Sequence, residues 1–312
     1  MAMTMPAAQG PTIEVTNLAK WYGDVVAVAD VSFQVGPGVT GLLGPNGAGK
    51  STTFKMLTGL LRPSSGSISI LGKPARGEPE VYRQIGLVGE QEATYAFLTG
   101  YEFVRLNAAL QGVADLDGAT RRALELVDLT EAAERKTGGY SKGMRQRVKI
   151  AAALVHDPQI VIMDEPLNGT DPVQRVQIIE LIKRLGAEGR TVIISSHILH
   201  EVERFADRIL VIVHGRLAAA GDFRAIRTLI TEQARQIRVR ASDARRLAAA
   251  LVGLPSLRGL TVDGDSLVLE VDDPRDCYWQ LPRLARAAGV RLYEIGALDD
   301  SLASVFSYVV AR

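Results

Sequence analysis

The residues from Gly44 to Thr52 read Gly-Pro-Asn-Gly-Ala-Gly-Lys-Ser-Thr. Two glycines bracket four residues ahead of a Lys-Ser pair, the spacing of a loop that cradles phosphate. Gly44, Gly47 and Gly49 permit backbone shapes that a side chain blocks, so that in Pro45-Asn46-Gly47-Ala48-Gly49 the N–H groups after the proline, and those beyond, can turn toward phosphate oxygens. Lys50 adds a full positive charge. Ser51 is left to hold a divalent cation through its hydroxyl, and Thr52 begins the helix whose N-terminal dipole favours an anion. The plainer alternative is a glycine-rich turn that caps a helix. Far along the chain, Ile160-Val161-Ile162-Met163 ends in Asp164-Glu165, which puts two carboxylates at the carboxyl end of a buried strand, where ligands of open α/β sheets collect. Asp164 suits a metal shell. Glu165, pointing elsewhere, is placed to orient and deprotonate an attacking water.

These groups need strands and helices to hold them. Val39–Leu43 reads as the strand that feeds the loop, and Thr52–Leu57 as the helix that leaves it. Ile13 and Val15, then Val31, Phe33 and Val35, alternate as in a small antiparallel sheet broken by Gly23-Asp24 and Gly36-Pro37-Gly38. Ser67–Leu71 and Ile85–Val88 predict further strands, and from Thr99 to Asp157 the periodicity turns helical. Ile160–Met163 and Thr191–Ile194 are short, β-branched and wholly apolar, the composition of strands buried on both faces of a parallel sheet. A helix over about Pro172–Leu185 separates them, and a hairpin turning at His214-Gly215 closes the unit near Asp222. Beyond it the pattern predicts a linking helix over Phe223–Thr231, strands at Ile237–Val239, Leu260–Val262, Leu267–Val271 and Val290–Ile295, helices from Ser242 and after Val271, and a last helix. The expected division is a disordered stretch at 1–11, a phosphate-binding domain at 12–222 with a helical part at about 95–157, and a compact α+β unit at 223–312.

The chain has 312 residues, with 36 Lys plus Arg against 35 Asp plus Glu. This balance, without long blocks of like charge, gives a nucleic-acid partner no support. A single cysteine, Cys277, excludes a disulfide framework or thiolate metal cluster within one chain, and points to a reducing compartment. No apolar run approaches the ~18 residues of a membrane-spanning helix, and Met1–Gly10 lacks the pattern of a signal peptide.

A further motif lies just ahead of the Asp-Glu strand: Tyr140-Ser141-Lys142-Gly143-Met144-Arg145-Gln146-Arg147, with Ser141 at the start of an amphipathic helix. With this signature, the phosphate loop and the Asp-Glu strand in order, residues 12 to about 222 resemble an ATP-binding cassette ATPase. The resemblance implies an α/β, P-loop NTPase fold with a mixed sheet, an antiparallel β-subdomain and an α-helical subdomain. It implies two cassettes meeting head to tail around ATP and Mg2+, each chain supplying one copy of every motif. On this likeness Gly44–Gly49, Lys50, Ser51 and Thr52 hold phosphate and metal, Asp164 belongs to the metal shell, and Glu165 is the base. Ser141 and Gly143 meet the nucleotide of the partner cassette. Asp171 matches the loop by which the cassettes sense each other, His197 matches the histidine that holds water and base, and Tyr22 falls where a ring stacks on adenine, with Trp21 as the alternative.

Several positions depart from the family pattern. Glu90 stands where a glutamine usually contacts metal and water, with Gln91 next to it; an ionised glutamate can ligate Mg2+ but cannot donate a hydrogen bond. Lys142 and Met144 replace the usual Gly and Gln of the signature, as in exporter-type cassettes, and Asn168 and Thr170 vary the interface loop. The reading that follows is the ATP-hydrolysing subunit of an exporter, peripheral on the cytoplasmic face of the membrane and serving a separate permease. Its rivals are a soluble cassette ATPase that remodels ribosomes or DNA, disfavoured by the single cassette, and a regulator that binds nucleotide without hydrolysing it, disfavoured by Glu165 and His197.

Overall fold

The computed structural model describes residues 11–91, 94–222 and 235–298. The chain divides into two compact units, Met1–Phe223 and Arg224–Arg312. In the first, β1 (Ile13–Tyr22) and β2 (Val25–Val35) form a hairpin around Gly23, whose φ of 55° suits the turn. β3 (Gly38–Leu43) then runs into the phosphate loop and α1 (Lys50–Leu57). β4 (Ser65–Ile70) pairs with β1, and β5 (Lys73–Pro74) with β4, which completes an antiparallel sheet of order β2-β1-β4-β5.

After the short α2 (Pro79–Tyr82) and β6 (Ile85–Val88) comes a helical block of α3 (Gly100–Leu110), α4 (Leu116–Leu126) and α5 (Lys142–Leu154). Thr99 and Glu102 cap α3 reciprocally: the Glu102 N–H donates to Thr99 Oγ1 at 3.1 Å, and the Thr99 N–H donates to Glu102 Oε2 at 2.8 Å. This capping box satisfies two N–H groups that have no partner within the helix. The chain re-enters the sheet through β7 (Ile160–Met163), α6 (Pro172–Ala187), β8 (Thr191–Ser196), α7 (Leu199–Val202), β9 (Arg208–Val213) and β10 (Arg216–Gly221). The second sheet has the order β10-β9-β3-β8-β7-β6, parallel from β9 to β6, with β10 antiparallel at one edge. Every residue of β7 and β8 is buried, as a parallel strand covered on both faces requires. One core joins the two sheets, with Ile13, Phe33 and Ile70 meeting Leu42, Phe54, Ile160 and Ile162. The five parallel strands β9, β3, β8, β7 and β6 end on the same side, and that side carries the loops described below.

In the second unit, β11 (Arg235–Ala241), a helix at Ala244–Leu251, β12 (Leu257–Asp263), β13 (Ser266–Val271), a helix at Pro274–Ala287 and β14 (Leu292–Ala297) follow in order. The sheet order β12-β13-β11-β14, with every neighbouring pair antiparallel, is the split β-α-β topology. Its own core gathers Ile237, Val239, Leu247, Leu251, Leu267, Leu269, Cys277 and Leu281.

Some boundaries differ from expectation. β8 extends through Ser195 and Ser196, because the ladder with β3 continues to Leu42 and Leu43. The last described strand begins at Leu292 and not at Val290, which is buried after the Gly289 turn with its N–H bonded to Ala285 O at 2.9 Å. That residue plugs the end of a helix, so its hydrophobicity belongs to no strand. The helix expected from Ser242 starts at Ala244, capped by Asp243. The expected linking helix at 223–231, the last helix, and residues 1–10 of the expected disordered stretch lie outside the described residues.

Candidate active site

The phosphate loop bends back on its neighbours through its glycines. Gly47 and Gly49 have φ of 79° and 100°, in the region open to glycine. A Cβ on Gly44 would overlap the Ile212 carbonyl oxygen, and one on Gly49 the Ala27 carbonyl oxygen. The loop is thus clasped between β9 and β2. The Ala29 N–H donates to Gly215 O at 2.7 Å and the Gly215 N–H to Ala48 O at 3.1 Å, which ties β2, the β9–β10 turn and the loop together. No side chain caps α1, so its first-turn N–H groups need an acceptor from elsewhere. Lys50 is 6% exposed, and its Nζ donates to Gly44 O at 2.7 Å and Pro45 O at 3.2 Å.

The carboxylates come from the end of β7. Ser195, from the neighbouring strand, donates its hydroxyl to Asp164 Oδ1 at 2.6 Å and accepts the Glu165 N–H at 2.8 Å. One side chain thereby fixes both acidic residues. Glu165 adopts φ 49°, a left-handed conformation that costs a non-glycine residue about 1–3 kcal/mol. The turn aims its carboxylate between two partners: Oε1 lies 3.3 Å from Lys50 Nζ and Oε2 lies 3.0 Å from His197 Nδ1. Facing a carboxylate, Nδ1 is the protonated nitrogen. Oε1 is buried and has no hydrogen-bond partner, despite its ion-pair distance to Lys50. A buried acceptor without a hydrogen bond is costly, and the Lys50 ammonium at 3.3 Å is the charge that offsets it.

A cavity of about 440 Å3 runs beside this cluster, lined by Ser51, Glu90, Gln91, Lys149 and Asp164 among polar residues, and by Phe54, Leu87 and Phe103 among apolar ones. Both Glu90 and Gln91 line it. The hydroxyl of Ser51 and the carboxylates of Asp164 and Glu90 are hard oxygen donors that fit Mg2+. Among the described residues no group of three or more His, Cys, Asp or Glu side chains could by itself hold a metal ion. His156 lines the same cavity; burial pushes its pKa down, and Nε2 lies 3.2 Å from Ile85 O.

The signature residues gather elsewhere. Ser141 caps α5 by accepting the Met144 N–H at 3.2 Å, and Asp171 caps α6 by accepting the Gln174 N–H at 2.9 Å. The two helix starts are packed together: a Cβ on Gly143 would overlap the Gln174 side-chain amide, and one on Gly169 the Lys142 stem. Ser141, Lys142, Gly143 and Met144 make no hydrogen bond or ion pair with Lys50, Asp164, Glu165 or His197 of their own chain. Tyr22 and Trp21, at the end of β1, are 51% and 47% exposed, with Lys20 Nζ 5.1 Å from the centre of the Tyr22 ring. Neither ring packs in the core.

Sequence reasoning missed Ser195 and Lys149. Lys149 is 7% exposed on α5, and its Nζ donates to Gly89 O at 2.7 Å, Gln91 O at 2.8 Å and Gln146 Oε1 at 3.1 Å. It grips the segment on both sides of Glu90. The available signals were a lysine on the apolar face of an amphipathic helix and a Ser-Ser pair ending an apolar strand.

The ABC transporter family profile matches residues 28–168. Over 304 residues the chain is 38% identical to the daunorubicin/doxorubicin resistance ATP-binding protein DrrA of Streptomyces peucetius, covering 94% of this chain and 91% of the relative. It is 41% identical over 213 residues to the linearmycin resistance ATP-binding protein LnrL of Bacillus subtilis (strain 168), covering 67% of this chain and 68% of that one. A solved structure of an ATP-binding subunit of an ABC transporter superposes with a TM-score of 0.65 at 34% identity, covering 70% of this chain and 92% of that one. With a relative at this identity spanning nearly the whole of both sequences, the protein belongs to the ABC transporter family, as an ATP-binding subunit that hydrolyses ATP.

Proposed function

We propose that the chain powers export through a separate membrane permease, with ATP held between two cassettes. The observation that carries the hydrolytic part is Glu165 suspended between Lys50 and His197. In this reading the glycine-lined loop from Gly44 to Gly49, with Lys50 and Thr52, binds the phosphates, and Tyr22 stacks on the base. Glu165 accepts the proton of the attacking water, and His197 holds its carboxylate in place through the Nδ1 contact. Ser195 orients Asp164 and Glu165 together. Mg2+ held by Ser51, Asp164 and Glu90 would neutralise charge on the phosphate oxygens. Ser141 and Gly143 of the second cassette complete the site from across the interface, with Lys142, Met144 and Asp171 in the contact. The absence of bonds between the signature and the phosphate site of the same chain supports this division of labour.

Residues 12–222 serve as the ATPase domain, with a helical part at about 95–157, and 223–312 as an accessory domain for docking or structure. Export is favoured by relatives named for resistance to daunorubicin, doxorubicin and linearmycin. In this reading a separate permease provides the path and anchors the chain at the cytoplasmic face; among the described residues no helix is long and apolar enough to cross a membrane. Glu165→Gln tests the reading: ATP binding persists, hydrolysis falls by about 10^2 to 10^4, and the protein dimerises on ATP. Unchanged turnover would remove Glu165 from its role. Purification from detergent-solubilised membranes should bring down a multi-span partner.

A further inference from the structure

His197 lies between two residues that share one hydroxyl. Ser196 Oγ donates to Glu201 Oε2 at 3.3 Å and accepts the Ile198 N–H at 3.0 Å, so the backbone before and after the histidine is bound to the same group. Glu201, on α7, is 4% exposed, and its other oxygen lies 3.1 Å from Arg175 Nη1. Arg175 belongs to the first turn of α6, where its N–H donates to Asp171 O at 2.9 Å. That turn is capped by Asp171, and its Gln174 abuts Gly143. A carboxylate so deeply buried is costly unless a cation and hydrogen bonds compensate it. Here the compensation comes from a helix start on one side and from the histidine turn on the other.

We infer that Glu201 and Arg175 are positioning residues for ATP hydrolysis. Their ion pair fixes the turn that presents His197 Nδ1 to Glu165, and makes that turn depend on the first turn of α6, the element that also carries Asp171 and packs on the signature glycine. The inference rests on the reading of Glu165 as base and His197 as its holder. A displacement of the start of α6 is therefore felt at His197 through one buried pair.

The test uses the full chain with Mg2+ and ATP in steady-state hydrolysis. Glu201→Gln keeps the shape and removes the charge; Arg175→Met keeps part of the stem. Each is expected to lower kcat about ten- to hundredfold, with KM for ATP unchanged within about twofold. The double variant should be no slower than the worse single one, as for two ends of one interaction, and Arg175→Lys should restore part of the rate. In a His197→Ala background, Glu201→Gln should cause no additional loss. A kcat within about twofold of the parent, or a loss that reappears in full on top of His197→Ala, overturns the inference. Thermal melting identifies any variant that fails to fold, in which case Ser196→Ala probes the same link by the same criteria. Glu165→Gln measured alongside separates the two levels: persistent hydrolysis there defeats the assignment of the base, while its loss together with an unaffected Glu201→Gln defeats this inference alone.

Discussion

At the scale of single residues, the site works by holding charges where water is scarce. Lys50 and Glu165 are both nearly buried and 3.3 Å apart, so the ammonium is compensated before any phosphate arrives and the carboxylate is aimed by the same contact. Lys149 does comparable work for the segment around Glu90. Lys149→Met leaves the Gly89 and Gln91 carbonyls without their donor, and is expected to destabilise the protein by about 1–3 kcal/mol, read as a lower urea midpoint with unchanged slope. The phosphate loop was legible because its pattern is local, each residue acting within a few positions of the next. Ser195 and Lys149 were not, because their partners lie 30 and about 60 residues away and nothing in linear spacing joins them. The placing of Glu165 between Lys50 and His197 likewise comes from three strand ends meeting, which no single segment displays.

At the scale of elements, helix starts carry much of the organisation: Thr99, Ser141 and Asp171 each cap one. Thr99→Ala removes half of a reciprocal pair at the entry to the helical block, and should cost about 1 kcal/mol in chemical denaturation, while Glu102→Gln should retain most of that stability. Strands β7 and β8 are readable as buried parallel strands from their continuous apolar runs, yet β8 continues two residues beyond its apolar run. Its last two positions are serines, and only the ladder to Leu42 and Leu43 keeps them in the strand. Val290 shows the reverse, an apolar residue beside a strand that closes a helix end instead of joining the ladder.

At the scale of the whole molecule, each unit has its own core, and in the second unit that core encloses Cys277. The order in which its four strands lie side by side was not legible, since it depends on which distant segments pair. Burial pushes the Cys277 thiol up to about 11. The folded state therefore favours the neutral thiol: this contribution to stability is complete below the unfolded value near 9 and is lost as pH rises through about 11. At pH 8 the native protein should resist alkylation by iodoacetamide, and denaturant should expose one reactive thiol per chain, counted by mass spectrometry. In the first unit, the carbonyl of Ala27 stands against Gly49, while Ala29 is bonded to Gly215. The sheet that carries Tyr22 and the loop that leads to Lys50 are consequently tied by these backbone contacts, and in the proposed reading, with Tyr22 on the base and Lys50 on the phosphates, they gauge the length of a nucleotide. Gly49→Ala should drive a wedge into that gauge, so that ADP and ATP bind more weakly while adenosine, which has no phosphate, binds as before, whereas Tyr22→Ala should blunt the preference for adenine and leave inorganic triphosphate binding as it was.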